Sequence, residues 1–257
     1  MSPAYPRGLG RVFEDATVVR NYRYRQPYPQ EIFEILEGLL VEPRTVLDAG
    51  AGTGALTIGM ARFARRVDAV DPSAAMLREA RQTSSAGSER IRWIFGTAEE
   101  APLEPPYGLV TAGASIHWMD PDVVMPRFRE SLAPGGLLAI VNSESIYAHQ
   151  EWRDEFIALI QAFSPINHHL EFVDLVRTLE TSGHFVRGGS RATAPVPYEQ
   201  SLDDYLAMLG STSSLSRPTL GSRADDFERG VRATLARHNI SSIRAELVGE
   251  VVWGRPL

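Results

Sequence analysis

The chain has 257 residues, 44% of them apolar and 23% charged, the values of a globular protein with ample core for independent folding. Its formal charge of −6 gives no support to a general nucleic-acid binder. It contains no cysteine, which excludes disulfides, thiolate nucleophiles and cysteine-ligated metals. Met1-Ser-Pro-Ala-Tyr-Pro6 has no apolar signal core, and no window approaches a spanning helix. These features read as a soluble cytoplasmic protein with neither nucleic acid nor membrane as partner; a monomer or homodimer is expected.

Residues 1–10, rich in Pro and Gly, read as a frayed end. In the polar and aromatic stretch from Phe13 to Arg25, Tyr22-Arg-Tyr-Arg25 stands before Pro27-Tyr-Pro29. Such a run either anchors a terminal arm or forms a lid over a cofactor cleft, with Arg25 available to a carboxylate. Gln30 to Leu40 carries Ile32, Phe33, Ile35, Leu36, Leu39 and Leu40 at amphipathic helical spacing.

Thr45-Val-Leu-Asp-Ala-Gly-Ala-Gly-Thr-Gly54 opens as a short apolar run suited to a strand buried on both faces. Asp48 ends that run, and Gly50, Gly52 and Gly54 alternate before a helix from Ala55 to Phe63. Strand, glycine turn and helix form the geometry that brings backbone close to a cofactor. The third glycine comes one position earlier than in the dinucleotide fingerprint, and no Gly-Lys-Ser/Thr follows as a phosphate loop needs. A second strand, Arg66 to Val70, ends at Asp71, 21 residues past Gly50, where a carboxylate can accept both hydroxyls of a ribose. A helix from Pro72 to Arg81 follows. Strands over 91–95, 107–112 and 137–141, with a helix over 122–131, complete an open α/β pattern. Strand four ends in Gly113-Ala-Ser-Ile-His-Trp-Met-Asp120, at the sheet edge where ligands sit. To this point the residues suit a nucleoside-containing cofactor without choosing between a nicotinamide and an adenosyl sulfonium.

Val46-Leu-Asp-Ala-Gly-Ala-Gly-Thr-Gly54 resembles the first motif of class I S-adenosylmethionine-dependent methyltransferases. Asp71-Pro-Ser-Ala-Ala-Met-Leu77 resembles the second, Gly96-Thr-Ala-Glu99 the segment beside the adenine, and Leu132-Ala-Pro-Gly-Gly-Leu-Leu138 the turn before strand five. Tyr24-Arg-Gln-Pro-Tyr-Pro29 and Ile116-His-Trp118 are similar to the subgroup of trans-aconitate and small-molecule, natural-product methyltransferases. In that subgroup the usual form is Tyr-Arg-Pro-x-Tyr-Pro, so Gln26 departs from it. The resemblance covers about residues 13–141. It implies a Rossmann-like seven-stranded, mostly parallel sheet with an added helical substrate cap, and S-adenosylmethionine as cofactor.

It further implies that Gly50, Ala51, Gly52 and Gly54 approach the amino-acid end of that cofactor, with Asp48 orienting the loop. Asp71, beside Pro72, would take the ribose. Met76 or Ala98 would pack on adenine, with Thr97 and Glu99 bordering the purine. Thr111 and Ala112 would meet the methionine portion through their main chain, and Tyr24 and Arg25 would close over it. His117 is the candidate catalytic base; its alternative is a wall, with Trp118, that holds the loop.

Helices are expected over Glu151–Phe163, Leu170–Thr181, Ser201–Leu209 and Ala224–Arg237, strands over Phe185–Pro195 and Ile243–Trp253, and a Ser/Gly-rich loop over Gly210–Gly221. The division expected is an arm and helix over 1–40, a cofactor core over 41–142, and a cap with the last strands over 143–257. Tyr22, Trp118, Tyr147, Trp152, His168, His169 and Arg191, with His149, Phe185, Arg187 and Arg217 also considered, are the candidate substrate residues; ordinary packing and solvent-facing polarity explain them equally well. His168-His169 lacks metal-ligand spacing, and no metal is expected. The expected reaction is methyl transfer to an oxygen of a small molecule, with nitrogen or carbon as alternatives. Two other readings stand beside it: an NAD-dependent oxidoreductase, and a cofactor-binding interaction protein without turnover.

Overall fold

Strand β1 (Thr45–Ala49) is buried along its whole length, as a short unalternating apolar run requires when both faces of a sheet are covered. The computed structural model describes residues 9–84, 88–147, 151–165 and 172–257. Within it β1 lies parallel between β2 (Arg66–Asp71) and β4 (Tyr107–Gly113). Beyond them β3 (Ile91–Phe95) pairs with β2 and β5 (Leu132–Tyr147) with β4, both parallel. The closing strand β8 (Ser242–Pro256) runs antiparallel to β5, and β6 (Phe185–Ala192) runs antiparallel to β8. The order is β3-β2-β1-β4-β5-β8-β6, a Rossmann-like sheet.

An eighth strand, β7 (Val196–Ser201), pairs with the first half of β8, along the edge that β6 occupies farther on. Its sequence is polar and contains Pro197, which argues against a central strand; on an edge the missing amide is tolerated. The fifth strand is also longer than its apolar core predicts, because Asn142–Tyr147 pairs with Ala245–Glu250 of β8. Gly188-Gly189 interrupts β6, at a register shift between Arg187 and Gly189.

Strand alternation sends side chains to two layers. Val46, Leu109, Ala139 and Val251 meet Ile32 and Leu36 of α2 (Gln30–Leu39) and Leu56 and Met60 of α3 (Ala55–Met60). Leu47, Val110, Leu138 and Val252 meet Val124, Met125 and Phe128 of α5 (Pro121–Ser131) and Val176 and Leu179 of α7 (Phe172–Thr181). Helix α7 therefore belongs to the sheet, while α6 (Arg153–Phe163), α8 (Leu202–Leu209) and α10 (Ala224–Arg237) build a separate core with Trp152 and Ile243. The expected loop 210–221 contributes Leu215 and Leu220 to that core and holds a one-turn helix, α9 (Arg217–Leu220). Before α2, a 3-10 turn (Leu9–Glu14), α1 (Ala16–Asn21) and another 3-10 turn (Tyr22–Tyr24) form the arm. Helix α4 (Ala74–Thr83) follows β2. No helix among the described residues is long and apolar enough to cross a membrane.

Candidate active site

Gly50, Gly52 and Gly54 all have left-handed backbones, with φ of 75°, 56° and 87°, a conformation that costs an L-residue roughly 1–2 kcal/mol. The tightness of the turn comes from its own amides. The N–H groups of Gly50 and Ala51 both donate to the Val70 carbonyl at 2.9 Å, and that of Gly54 to Ala51 at 2.9 Å. The Gly52 N–H donates to an oxygen of Asp71 at 2.8 Å. The glycines leave room for Ser115, Tyr22 and Trp93 to pack against the turn, while these four amides are spent internally.

Two carboxylates flank the turn. Asp48 accepts the Thr57 hydroxyl at 2.5 Å and the Thr111 hydroxyl at 2.9 Å, and also draws on the Thr57 backbone N–H. It therefore fills the positive end of α3, where an incoming anion would otherwise settle. Burial lifts its pKa to about 6 against the opposing pull of the Thr57 and Thr111 bonds, with Asp71 adding to the rise. Asp71 sits at the end of β2, its other oxygen accepting the Ser73 N–H at 2.8 Å. Burial raises its pKa, opposed by the Ser73 and Gly52 amides. Each oxygen of a carboxylate accepts about two bonds, so each keeps one lone pair for a hydroxyl.

After β4 the chain is tied back onto the turn. The Ser115 hydroxyl donates to the Ala49 carbonyl at 2.6 Å. This holds the 3-10 turn Ile116–Trp118, and with it His117 and Trp118, at the carboxyl edge of the sheet. The His117 and Trp118 rings lie 4.9 Å apart. Glu99 accepts the Asp120 backbone N–H at 2.9 Å, joining the segment after β3 to the segment after β4. Met76, Ala98, Thr111 and Ala112 are buried, whereas Pro72 and Thr97 are exposed.

The arm crosses these three strand ends. The Ser73 hydroxyl donates to the Phe13 carbonyl at 2.7 Å. The Phe13 ring stands edge-on to Tyr22 at 6.1 Å and to Trp118 at 6.0 Å. The Tyr22 ring lies 3.9 Å from where a Cβ on Gly52 would be, and the Arg25 guanidinium stacks over Tyr22 at 4.0 Å. Tyr28 reaches β4, its hydroxyl 2.9 Å from the place of a Cβ on Gly113. Burial, then Tyr22 and Asp48, pushes that phenol far above its ordinary range. Gly52, Asp71, Ser115, Trp118 and Tyr22 are thereby gathered into one constellation.

The substrate candidates separate. Trp152 is buried in the cap core, 5.5 Å from the Tyr147 ring and 5.3 Å from Phe156. Arg191 is bonded to Glu31 at 2.6 Å. Its register through Val251 and Val141 puts it three strands from Gly113, about 14 Å at ordinary strand spacing. His149, His168 and His169 lie outside the described residues. No group of three potential ligands that could hold a metal occurs among the described residues. Ser115, Thr57, Ser73 and Phe13 were not singled out from sequence. Each acts through a hydroxyl, a carbonyl or a ring edge; Ser73 is also the N-cap of α4, accepting the Met76 N–H at 3.1 Å.

Residues 46–136 match the family model for a methyltransferase domain. An uncharacterized methyltransferase of Mycobacterium tuberculosis is 38% identical over 120 residues, 46% of this chain and 47% of the relative. The tRNA 5-carboxymethoxyuridine methyltransferase of Escherichia coli is 31% identical over 127 residues, 47% and 49% of the two chains. The chain spans about half the length of these curated relatives. Among solved structures, one described as a type II methyltransferase from Anaeromyxobacter dehalogenans superposes with a TM-score of 0.65 at 24% identity, covering 90% of this chain and 97% of that one. A S-adenosylmethionine-dependent methyltransferase from Geobacter sulfurreducens, in complex with S-adenosylhomocysteine, gives 0.53 at 16% identity, covering 98% and 99%.

Proposed function

We propose that this chain, a member of the class I S-adenosylmethionine-dependent methyltransferases with its methyltransferase domain at residues 46–136, transfers a methyl group to an oxygen of a small-molecule acceptor. The observation that carries the cofactor reading is the pair Asp48 and Asp71. Asp48 occupies the helix N-terminus that a dinucleotide's pyrophosphate would need, and the amides of Gly50, Ala51 and Gly52 are already bonded. Asp71 meanwhile keeps a lone pair on each oxygen for the two hydroxyls of a ribose. A sulfonium cofactor with a ribose and no phosphate fits that donor set; a nicotinamide dinucleotide does not.

S-adenosylmethionine supplies an already activated methyl group, so the protein's share is positioning. Asp71 would hold the ribose and the glycine turn would lie along the amino-acid end. Tyr22 and Arg25 would cover it. His117, held beside the turn through Ser115, would take the acceptor's proton. The acceptor would enter between the arm and the cap. Arginines that might have gathered a carboxylic acid there are committed elsewhere: Arg187 to Glu180, Arg191 to Glu31, and Arg217 to Asp225. This supports a hydroxyl acceptor over a polyacid such as trans-aconitate.

Calorimetry against S-adenosylhomocysteine and NAD, followed by a methyl-transfer screen of phenols, carboxylic acids, amines and tRNA, tests the proposal. Saturable binding of the first ligand and turnover with a hydroxylated small molecule are expected. Binding of NAD alone would overturn the cofactor reading, and turnover with tRNA alone would overturn the acceptor.

A further inference from the structure

We infer that Ser211, in the cap, is a positioning residue for the cofactor's carboxylate, acting through Arg25; the inference rests on the methyltransferase reading above. The Arg25 Nε donates to the Ser211 hydroxyl oxygen at 2.9 Å and its Nη2 to the Ser211 carbonyl at 2.9 Å. Ser211 is fully buried, and its own hydroxyl donates to the Met208 carbonyl at 2.6 Å. Its oxygen is therefore oriented by the end of α8 and presents lone pairs to Arg25. In β7, just before the opposite end of the same helix, the buried Gln200 donates from Nε2 to the Tyr24 carbonyl at 2.7 Å. Ser201 between them caps the helix by accepting the Asp204 N–H at 3.1 Å. Two successive arm residues, Tyr24 and Arg25, are thus held by residues that flank α8 on either side.

Arginine has five N–H donors in a fixed fork. Ser211 takes two of them, and three remain for a ligand. With its plane stacked on Tyr22, and Tyr22 against Gly52, the guanidinium is fixed both in direction and in distance from the turn. Without the Ser211 hydroxyl the same side chain would keep its charge and its bond to the main-chain carbonyl, and lose the second bond that fixes its aim. The cap thereby sets how tightly the amino-acid end of the cofactor is held, although no cap residue need touch it.

The test compares two ligands that differ in the amino-acid end. Ser211→Ala and the near-isosteric Ser211→Cys are titrated with S-adenosylhomocysteine and with 5′-methylthioadenosine, which lacks the amino-acid end. Losing the hydroxyl bond to a charged donor, while the main-chain carbonyl still accepts from Nη2, predicts a roughly 10-fold weaker Kd for S-adenosylhomocysteine. The Kd for 5′-methylthioadenosine should stay within about twofold, and Ser211→Thr should restore the parent value for both. Equal weakening of both ligands would mean that the arm has merely loosened, and would overturn the inference; so would no weakening of either. Ser211→Cys keeps the test open should the alanine variant not fold. A parent protein that binds neither ligand would overturn the methyltransferase reading itself, a result visible before any variant is made.

Discussion

A Cβ placed on Gly50 would lie 2.5 Å from the Cβ of Ser115, so these two residues share the space of a single side chain. Ser115 fills it and bonds to the carbonyl of Ala49. The loop that carries His117 and the turn that would receive the cofactor are therefore packed as one unit. Relative motion between the candidate base and the methyl donor would require separating them.

Gly50→Ala tests that packing. It adds the cost of a left-handed alanine, at φ of 75°, to a collision with a side chain that is anchored at its far end. Together these predict a loss of about 2–4 kcal/mol in folding stability and loss of measurable cofactor binding. Gly135 is the control, since its φ is 81° and its Cβ would meet nothing within 4 Å. Gly135→Ala should cost only the backbone strain, about 1 kcal/mol, and leave cofactor affinity unchanged. Urea unfolding with calorimetry on both variants reads the difference; equal effects would discount the Gly50–Ser115 contact.

Asp71 has two duties, and they can be measured apart. It ties the Gly52 N–H to the end of β2, and it is the proposed seat of the ribose. Asp71→Ala should weaken S-adenosylhomocysteine at least 10- to 100-fold, the effect of losing hydrogen bonds to a charged group. Methionine, which lacks the ribose, serves as a competitor. If it is affected as strongly as the nucleoside, the ribose role is lost and only the loop-tying role stands.

Much of this site could be read before the structure because its signals are local. The left-handed glycines and the acid that ends β2 both lie within a few residues of the backbone geometry they serve. Ser115, Phe13 and Ser211 left no such trace, because their partners are 66, 60 and 186 positions away in the chain. Strand β7 was hidden for a different reason. An edge strand needs no continuous apolar face, so Val196-Pro-Tyr-Glu-Gln-Ser201 carries no periodic signal, and only the length of β8 makes room for it. Helix α7 looked like a member of the cap, since amphipathicity reports that one face is buried but not against what.

Asp48 makes stability depend on pH in a direction opposite to most carboxylates. Burial raises its folded pKa from the ordinary 3.8 to about 6. Between those values the folded chain holds a proton that the unfolded chain has released, so stability falls as pH rises through that interval. Above about pH 6 the whole cost is present, at most about 3 kcal/mol at 1.36 kcal/mol per unit. Asp48→Asn removes the titration. It is expected to be more stable than the parent at pH 8, less one bond to Thr57 or Thr111 worth about 1 kcal/mol, and to lose that advantage near pH 4. Denaturant unfolding at pH 4, 6 and 8 checks this, and an advantage that does not change with pH would refute the assignment.

His117 decides whether the site does chemistry or only positions. As a base it must be neutral to accept the acceptor's proton, so turnover should rise with pH through the imidazole range and then level off. His117→Ala is expected to lower kcat by a factor of about 10²–10⁴ while the Kd for S-adenosylhomocysteine stays within about twofold, and to abolish that rising limb. If His117 instead serves as a wall against Trp118, 4.9 Å away, the loss should follow packing rather than proton transfer. His117→Phe would then recover most of the turnover with the pH profile of the parent. Single-turnover rates for the parent and both variants from pH 5.5 to 9 separate these outcomes.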